Sequence, residues 1–260
     1  MAGRVPLIFL LVALPSPASL VMFQWTPERI LLAADSLTTR IHDSGAIDEV
    51  TACKIRQQGD IFFTVVGIND DPAAKVDLVS LAARAARSSK NVRAAVHNFE
   101  VLAAAPVRTL WNDVVAHRAA TARLATATGG RMTLTVVFVS RKEHAVAVKE
   151  YSGGGNGEIA DQAARFYGAG PGMRQDRGYV AVGVYADAQS ASAGRQIELE
   201  GIPFLNSFFE IQFAHELERT RQHAVPRIGP PVCILQVMLG TASWVSGQQG
   251  SCGPVLQQGN

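Results

Sequence analysis

Short apolar segments divided by turns dominate the part of the chain that follows residue 18. Leu20–Phe23, Ile30–Ala34 and Ile61–Gly67 are apolar runs of strand length, and Trp25–Arg29 forms a proline-containing turn between the first two. Cys53–Ile55 is predicted to begin one more strand. Strands that follow one another this closely pair antiparallel, because a parallel neighbour needs a long crossover connection. The pattern therefore predicts an antiparallel sheet in this region.

Helical periodicity follows the predicted sheet. Apolar residues recur at helical intervals between Val76 and Ala86, which predicts a helix with one buried face. The elements predicted beyond it are helices Val92–Leu102 and Val107–Ala127, strands Leu134–Val139 and Ala145–Glu150, helix Phe204–Gln222 and strand Val232–Leu239. Strands and helices are segregated along the chain rather than alternating, and this order favours an α+β fold over a parallel βαβ sheet.

The amino-terminal residues have the layout of a secretory signal. Arg4 is followed by the apolar run Val5–Leu14 and then by small residues up to Ser19. The run is shorter than the roughly 20 residues that span a bilayer. We therefore expect a signal peptide at residues 1–18, cleavage between Ala18 and Ser19, a secreted or periplasmic protein, and no stable membrane insertion after cleavage. A buried first strand and an uncleaved anchor are the alternatives.

Composition indicates one folded unit after the leader. Of the 260 residues, 48% are hydrophobic, which is enough for one sizeable core. We expect a single domain at residues 19–242 and a flexible tail at 243–260. The 24 basic and 22 acidic residues are dispersed without a run of like charge, which argues against a nucleic-acid partner.

The three cysteines do not form the pattern of a disulfide framework. Cys53 and Cys233 lie in apolar, strand-like surroundings and are expected to be buried small side chains. Cys252 lies in a tail rich in Gly and Gln, and we expect it to have no structural role.

Common catalytic motifs are missing from the sequence. Its 6 histidines form neither a His-Glu-x-x-His motif nor a His/Cys pair at zinc spacing, and there is no Gly-x-Ser-x-Gly nucleophile elbow. We therefore expect no metal site and no histidine-dependent triad.

Two opposite charges stand out because apolar residues surround both of them. Asp35 closes the run Ile30–Ala34, and Lys54 lies between Cys53 and Ile55. A charge on a buried strand is costly to desolvate unless it is paired, so the two side chains are expected to satisfy one another. Taken alone, the pattern favours a structural ion pair.

The same residues carry a resemblance to a known family. Leu31–Ser36, then Cys53–Ile55, then an apolar strand that ends at Gly67 and leads into a helix resemble the first third of proteasome beta-type subunits and their bacterial relatives, which are N-terminal-nucleophile (Ntn) hydrolases. At the family's spacing upstream of Asp35, the nucleophile position falls on Ser19, the residue that signal cleavage would expose. The resemblance implies a four-layer αββα sandwich of two antiparallel sheets.

The resemblance also implies a reaction, the cleavage of an amide or peptide bond through an acyl-enzyme on Ser19. The free α-amine of Ser19 would act as the base, Lys54 would keep the pKa of that amine low, and Asp35 would hold Lys54. The backbone N–H of Gly67 would stabilise the oxyanion. The implied partners are a peptide or amide substrate, without a cofactor, and assembly into a homo-oligomer stays open.

Two departures from the family leave an alternative open. Active members usually carry threonine where this chain has Ser19, and an Asp-x-x-Ser-Gly-Gly pattern after the last long helix. The corresponding stretch here, Val225–Pro230, offers neither a carboxylate nor a hydroxyl. The alternative is a catalytically inactive subunit with a structural or binding role in an oligomer.

Overall fold

Two large antiparallel sheets and three α-helices form the frame of the described structure. A computed structural model of the protein describes residues 19–41, 47–67, 70–71, 75–116, 132–153, 158–168, 172–174, 177–183, 201–221, 228–245, 252 and 254–255. The leader expected at residues 1–18 lies outside these ranges. None of the helices within them combines the length and the apolar character needed to cross a membrane.

The strands and helices follow one another in blocks, as their bounds show. The strands are β1 (Leu20–Trp25), β2 (Ile30–Asp35), β3 (Leu37–Ile41), β4 (Ile47–Thr51), β5 (Arg56–Gln58), β6 (Ile61–Gly67), β7 (Asp70–Asp71), β8 (Val76–Asp77), β9 (Met132–Ser140), β10 (Ala145–Gly153), β11 (Ile159–Asp161), β12 (Arg165–Gly168), β13 (Gly178–Gly183), β14 (Val232–Met238) and β15 (Thr241–Trp244). The helices are α1 (Leu78–Arg87), α2 (Val92–Ala116) and α3 (Ile202–Arg221).

The paired strands form two large sheets. The first sheet has the order β13-β1-β2-β14-β15, and the second has β11-β10-β9-β6-β5, with β12 also paired to β10. Two small sheets pair β3 with β4 and β7 with β8. Val21 pairs with Ala34, and Asp35 pairs with Val232, so β1 and β2 are internal strands. The predicted α+β class is confirmed, and so are the two antiparallel sheets that the resemblance implied.

The two sheets pack face to face, and their inner faces share one core. Val21 and Phe23 of β1 lie in this core with residues of the second sheet such as Val137. Leu20 and Met22 lie on the opposite face of β1, against α3. This alternation follows from the pleat of a strand. Because both faces of β1 are buried, its sequence is a continuous apolar run rather than an alternating one.

Helices α1 and α2 cover the outer face of the second sheet. Phe99, Ala103, Val107 and Leu110 of α2 are buried in the core beneath them. The sequence predicted two helices separated before Val107, but α2 is a single helix that continues through Pro106. Proline removes one helical hydrogen bond and strains the turn before it. The buried face continues on both sides of Pro106, so packing outweighs that cost.

The carboxy-terminal region is tied to the first part of the chain. Cys53 and Cys252 form a disulfide across a sequence separation of 199 residues, so the expectation that Cys252 has no structural role was wrong. Strand β15 extends across the domain boundary expected after residue 242, and Val255 packs against the core between the sheets. Cysteines this far apart meet only through the tertiary fold, which no local spacing reveals.

Candidate active site

Strand β2 carries Asp35 to a fully buried position at the end of the first sheet. Its carboxylate accepts hydrogen bonds from the Leu20 N–H at 2.8 Å and from Lys54 Nζ, at 2.9 Å to Oδ1 and 2.8 Å to Oδ2. The Gly229 N–H also bonds to it. Burial raises the pKa of the Asp35 carboxyl, whereas Lys54 and the two N–H groups act in the opposite direction. The ion pair expected between Asp35 and Lys54 is therefore present.

Lys54 reaches this carboxylate from an irregular segment, not from the strand that the sequence predicted there. Residues 52–55 connect β4 to β5 and belong to no strand. The Ala52 N–H donates to the Ser36 carbonyl oxygen at 2.8 Å, and Cys53 is held by its disulfide. These two restraints fix the backbone on the amino-terminal side of Lys54. Ile55 is buried although the segment forms no strand, so an apolar residue here does not indicate one.

Ser19 immediately precedes β1 and is 5% exposed. Lys54 Nζ donates a hydrogen bond to Ser19 Oγ at 2.9 Å. One ammonium therefore joins the Ser19 hydroxyl to the Asp35 carboxylate. The pairing of β1 with β2 sets this geometry, because it holds the start of one strand beside the end of the other.

Gly67, the fourth candidate residue, ends β6 at φ +96°. A Cβ atom there would lie 2.0 Å from the Thr133 carbonyl oxygen, so the close approach of β6 and β9 requires glycine. Among the hydrogen bonds of the described residues, none joins Gly67 to Ser19. Its role toward an oxyanion stays a prediction.

Gly183, which the sequence analysis did not single out, shapes the seat of Ser19. It ends β13 at φ +94° and pairs with Leu20 of β1. A Cβ atom at this position would lie 1.8 Å from the Ser19 carbonyl oxygen and 2.9 Å from Val66 Cγ1. Only the glycine itself marks the position in the sequence, because β13 is half-buried and has no clear alternation.

Replacing Gly183 by alanine should lower the free energy of unfolding by about 3 kcal/mol and displace Ser19. The positive φ costs about 1 kcal/mol, and the overlap with the Ser19 main chain adds the rest. Gly240 is a matched control, since its φ is +78° and nothing lies within 4 Å of a Cβ there. Gly240→Ala should cost about 1 kcal/mol. Urea unfolding of both variants measures the difference, and equal losses would show that the Ser19 contact does not restrict position 183.

The segment before β14 contributes to the site through its backbone. The stretch 225–230 lacks carboxylates and hydroxyls, and its first three residues lie outside the described ranges. Gly229 nevertheless bonds the Asp35 carboxylate through its N–H, and its carbonyl oxygen accepts from the Ser36 N–H at 3.3 Å. A stretch without carboxylates or hydroxyls therefore still holds the end of β2 through its backbone.

A group of cysteine sulfur atoms lies beside the charged cluster formed by Ser19, Asp35 and Lys54. The Sγ atoms of Cys53, Cys233 and Cys252 lie within 4.8 Å of one another, and Cys233 Sγ is 3.2 Å from Ser36 Oγ. Within the described ranges, this is the group of side chains placed to hold a metal ion. No sequence motif indicates this group, because the three cysteines are far apart in the chain.

Comparison with known proteins finds a structural similarity without a sequence match. No protein-family model and no curated protein matches the sequence. Among solved structures, the chain is similar to Anbu (ancestral beta-subunit) from Yersinia bercovieri, at 10% identity and a TM-score of 0.41, covering 89% of this chain and 88% of that chain. It is also similar to Anbu from Hyphomicrobium sp. strain MC1, at 12% identity and a TM-score of 0.40, covering 88% of both chains.

These findings correct the family assignment. The sequence pattern was interpreted as that of a proteasome beta-type subunit or a bacterial relative, an Ntn hydrolase. That assignment was wrong, because the two solved structures named above are Anbu proteins, which are a distinct family. The motif accounts for the error. An apolar strand closed by Asp35 and a later Lys54 describe a buried ion pair beside an antiparallel sheet, which is not specific to one family. The activity of this chain is therefore inferred from its own residues.

Proposed function

We propose that this protein is an exported hydrolase that cleaves amide or peptide bonds through an acyl-enzyme on Ser19. The observation that carries the proposal is the position of the Lys54 ammonium, which contacts the Ser19 hydroxyl at 2.9 Å while both Asp35 oxygens hold it. A purely structural ion pair would require only the contacts between Lys54 and the Asp35 carboxylate. The third contact places a cation beside a hydroxyl that has little exposure to water.

Removal of residues 1–18, with export to the periplasm or the exterior, would give Ser19 a free α-amine. Such an amine titrates at about 7.7–8.0, so a substantial fraction is unprotonated near neutral pH. The Lys54 ammonium disfavours a second positive charge next to it, which lowers the pKa of the amine further. The amine can then accept a proton from the hydroxyl of its own residue.

The reaction proceeds in two halves. As Ser19 Oγ attacks the substrate carbonyl carbon, its proton passes to the α-amine, and the carbonyl oxygen becomes an oxyanion that the Gly67 N–H would stabilise. The protonated amine then donates that proton to the leaving nitrogen as the C–N bond breaks. A water molecule, deprotonated by the same amine, hydrolyses the remaining ester and restores the hydroxyl. Asp35 keeps Lys54 in place throughout.

An amide or peptide is the substrate class that this chemistry fits best. An amide nitrogen is a poor leaving group until it receives a proton, and the α-amine carries one at that stage.

The proposal includes a four-layer order of helices, sheet, sheet and helix. It is supported by the separate cores between the sheets, beneath α1 and α2, and beneath α3.

The proposal is tested on the protein isolated after expression with its leader. Amino-terminal sequencing should give Ser19 as the first residue. A bifunctional peptide electrophile that needs both a hydroxyl and the adjacent amine should then add once per chain, at Ser19, as measured by mass spectrometry. An unlabelled protein that retains residues 1–18 has no such amine and would contradict the proposal. That result would instead favour the non-catalytic, structural or binding role.

A further inference from the structure

Three cysteine sulfurs meet beside the charged cluster, although a disulfide needs only two. Cys53 is bonded to Cys252, and the Sγ atom of Cys233 lies 2.7 Å from that of Cys252. All three sulfurs lie within 4.8 Å of one another. Cys233 belongs to β14 and is fully buried, so the sheet fixes the backbone that carries its sulfur.

We propose that Cys53, Cys233 and Cys252 form a redox-controlled site for one soft divalent metal ion of the zinc and cadmium class. The oxidised protein holds the disulfide, and the reduced protein holds the ion on three thiolates. This differs from the expectation of no metal site, which rested on motif spacing. The proposal is independent of the proposed hydrolysis, since neither state uses Ser19.

The sulfur positions suit such an ion. Thiolate ligands select soft metals, and a zinc–sulfur bond is about 2.3 Å long. Two sulfurs of one tetrahedral site therefore lie about 3.8 Å apart. Sulfurs within 4.8 Å of one another need only side-chain adjustments to reach that spacing once the disulfide opens.

The surroundings supply an outer partner and an access route. The Ser36 hydroxyl lies 3.2 Å from Cys233 Sγ, where it can donate a hydrogen bond to the thiolate and orient it. A cavity of about 460 Å³ is lined by Cys53, Cys252 and Trp244, so an ion and a reductant can reach the two disulfide sulfurs. The fourth position of a tetrahedral site would be filled by water from this cavity.

A dithiol can act as the reductant that converts the disulfide form into the metal-binding form. The dithiol transfers two electrons and two protons to the Cys53–Cys252 bond and is itself oxidised to a disulfide. The reduced protein then has three thiols. Binding of one divalent ion to the three sulfurs releases their three protons, so affinity increases with pH.

Cadmium titration of the reduced protein tests the site. The protein is reduced with excess dithiol under nitrogen, freed of reductant, and titrated with Cd²⁺ while the sulfur-to-cadmium charge-transfer absorbance is followed. We expect one ion per chain, with three thiols protected from a thiol reagent. The oxidised protein should show no such absorbance, and equal binding by the oxidised protein would overturn the proposal.

Cys233→Ser is the matched variant, because it removes one proposed ligand and leaves the Cys53–Cys252 disulfide possible. After reduction, its affinity for Cd²⁺ should be lower by more than about 100-fold, since loss of an outer partner alone costs up to that factor. Reduced wild type that binds no more tightly than this variant would overturn the proposal.

A second measurement tests the site if reduction of the disulfide unfolds the protein. If far-ultraviolet circular dichroism shows that the reduced protein is unfolded, Cd²⁺ should restore the signal in the wild type and not in Cys233→Ser, because binding and folding are then coupled. The same response in both proteins, or in neither, would count against the three-cysteine site.

Discussion

Ser19→Ala should lower the rate of amide hydrolysis by about 10³-fold or more, with little change in stability. The Ser19 hydroxyl is the group that bonds covalently to the substrate in the proposed reaction, and alanine removes it alone. The hydroxyl accepts a hydrogen bond from Lys54, which keeps its two contacts with Asp35. The free energy of unfolding should therefore change by about 1 kcal/mol or less.

A fluorogenic peptide amide that the wild type cleaves provides the measurement, and Ser19→Thr provides the matched control. Threonine keeps a hydroxyl and an α-amine at the same position, so this variant should retain both hydrolysis and covalent labelling. Amino-terminal sequencing of all three proteins shows that the leader was removed at the same bond. Undiminished hydrolysis by Ser19→Ala would rule out Ser19 as the nucleophile.

Lys54→Met should lower the rate of labelling and hydrolysis by about 10²- to 10⁴-fold and also destabilise the protein. Methionine has a similar length without the charge, so the Asp35 carboxylate would stay buried without its cation. Removing one partner of a buried pair costs about 3–5 kcal/mol. Since the Lys54 side chain is 11% exposed, we expect the lower end of that range. Urea unfolding measures this loss.

A pH profile distinguishes the proposed role of Lys54 from a purely structural one. Without the neighbouring cation the pKa of the Ser19 α-amine increases, so the acid limb of kcat/KM should shift to higher pH. Lys142→Met is the control, because Lys142 is exposed in the turn between β9 and β10. It should leave rate, profile and stability unchanged. An unshifted profile in a folded Lys54→Met variant would contradict the role of Lys54 as a modulator of the amine.

The parts of the fold that the sequence predicted are those whose burial is uniform. Strands β1 and β2 are buried on both faces, and this produces apolar runs that cannot be mistaken for loops. Strand β13 was missed because its residues are half-buried, and its place in the sheet depends on pairing with β1. The continuity of α2 through Pro106 was also missed, because tertiary packing decides it.

The candidate site, like the fold, was predicted from the sequence only in part. Asp35 and Lys54 could be paired from sequence because a buried charge needs a partner. Gly183 and Gly229 contribute through their backbone atoms, so no side chain indicated their roles in the sequence. The meeting of Cys53 with Cys252 depends on residues 199 positions apart, a distance at which local patterns carry no information.

The proposed reaction requires cleavage at one particular bond, because Ser19 is the residue immediately before an internal strand. Because β13 and β2 hold β1 from both edges, the strand cannot slide to compensate for a misplaced cut. Each residue too many or too few would move the terminal nitrogen by about 3.3 Å, which is more than the reach of a hydrogen bond. Under the proposed reaction, a preparation with mixed amino termini would be uniformly folded, but only the molecules that begin at Ser19 would be active.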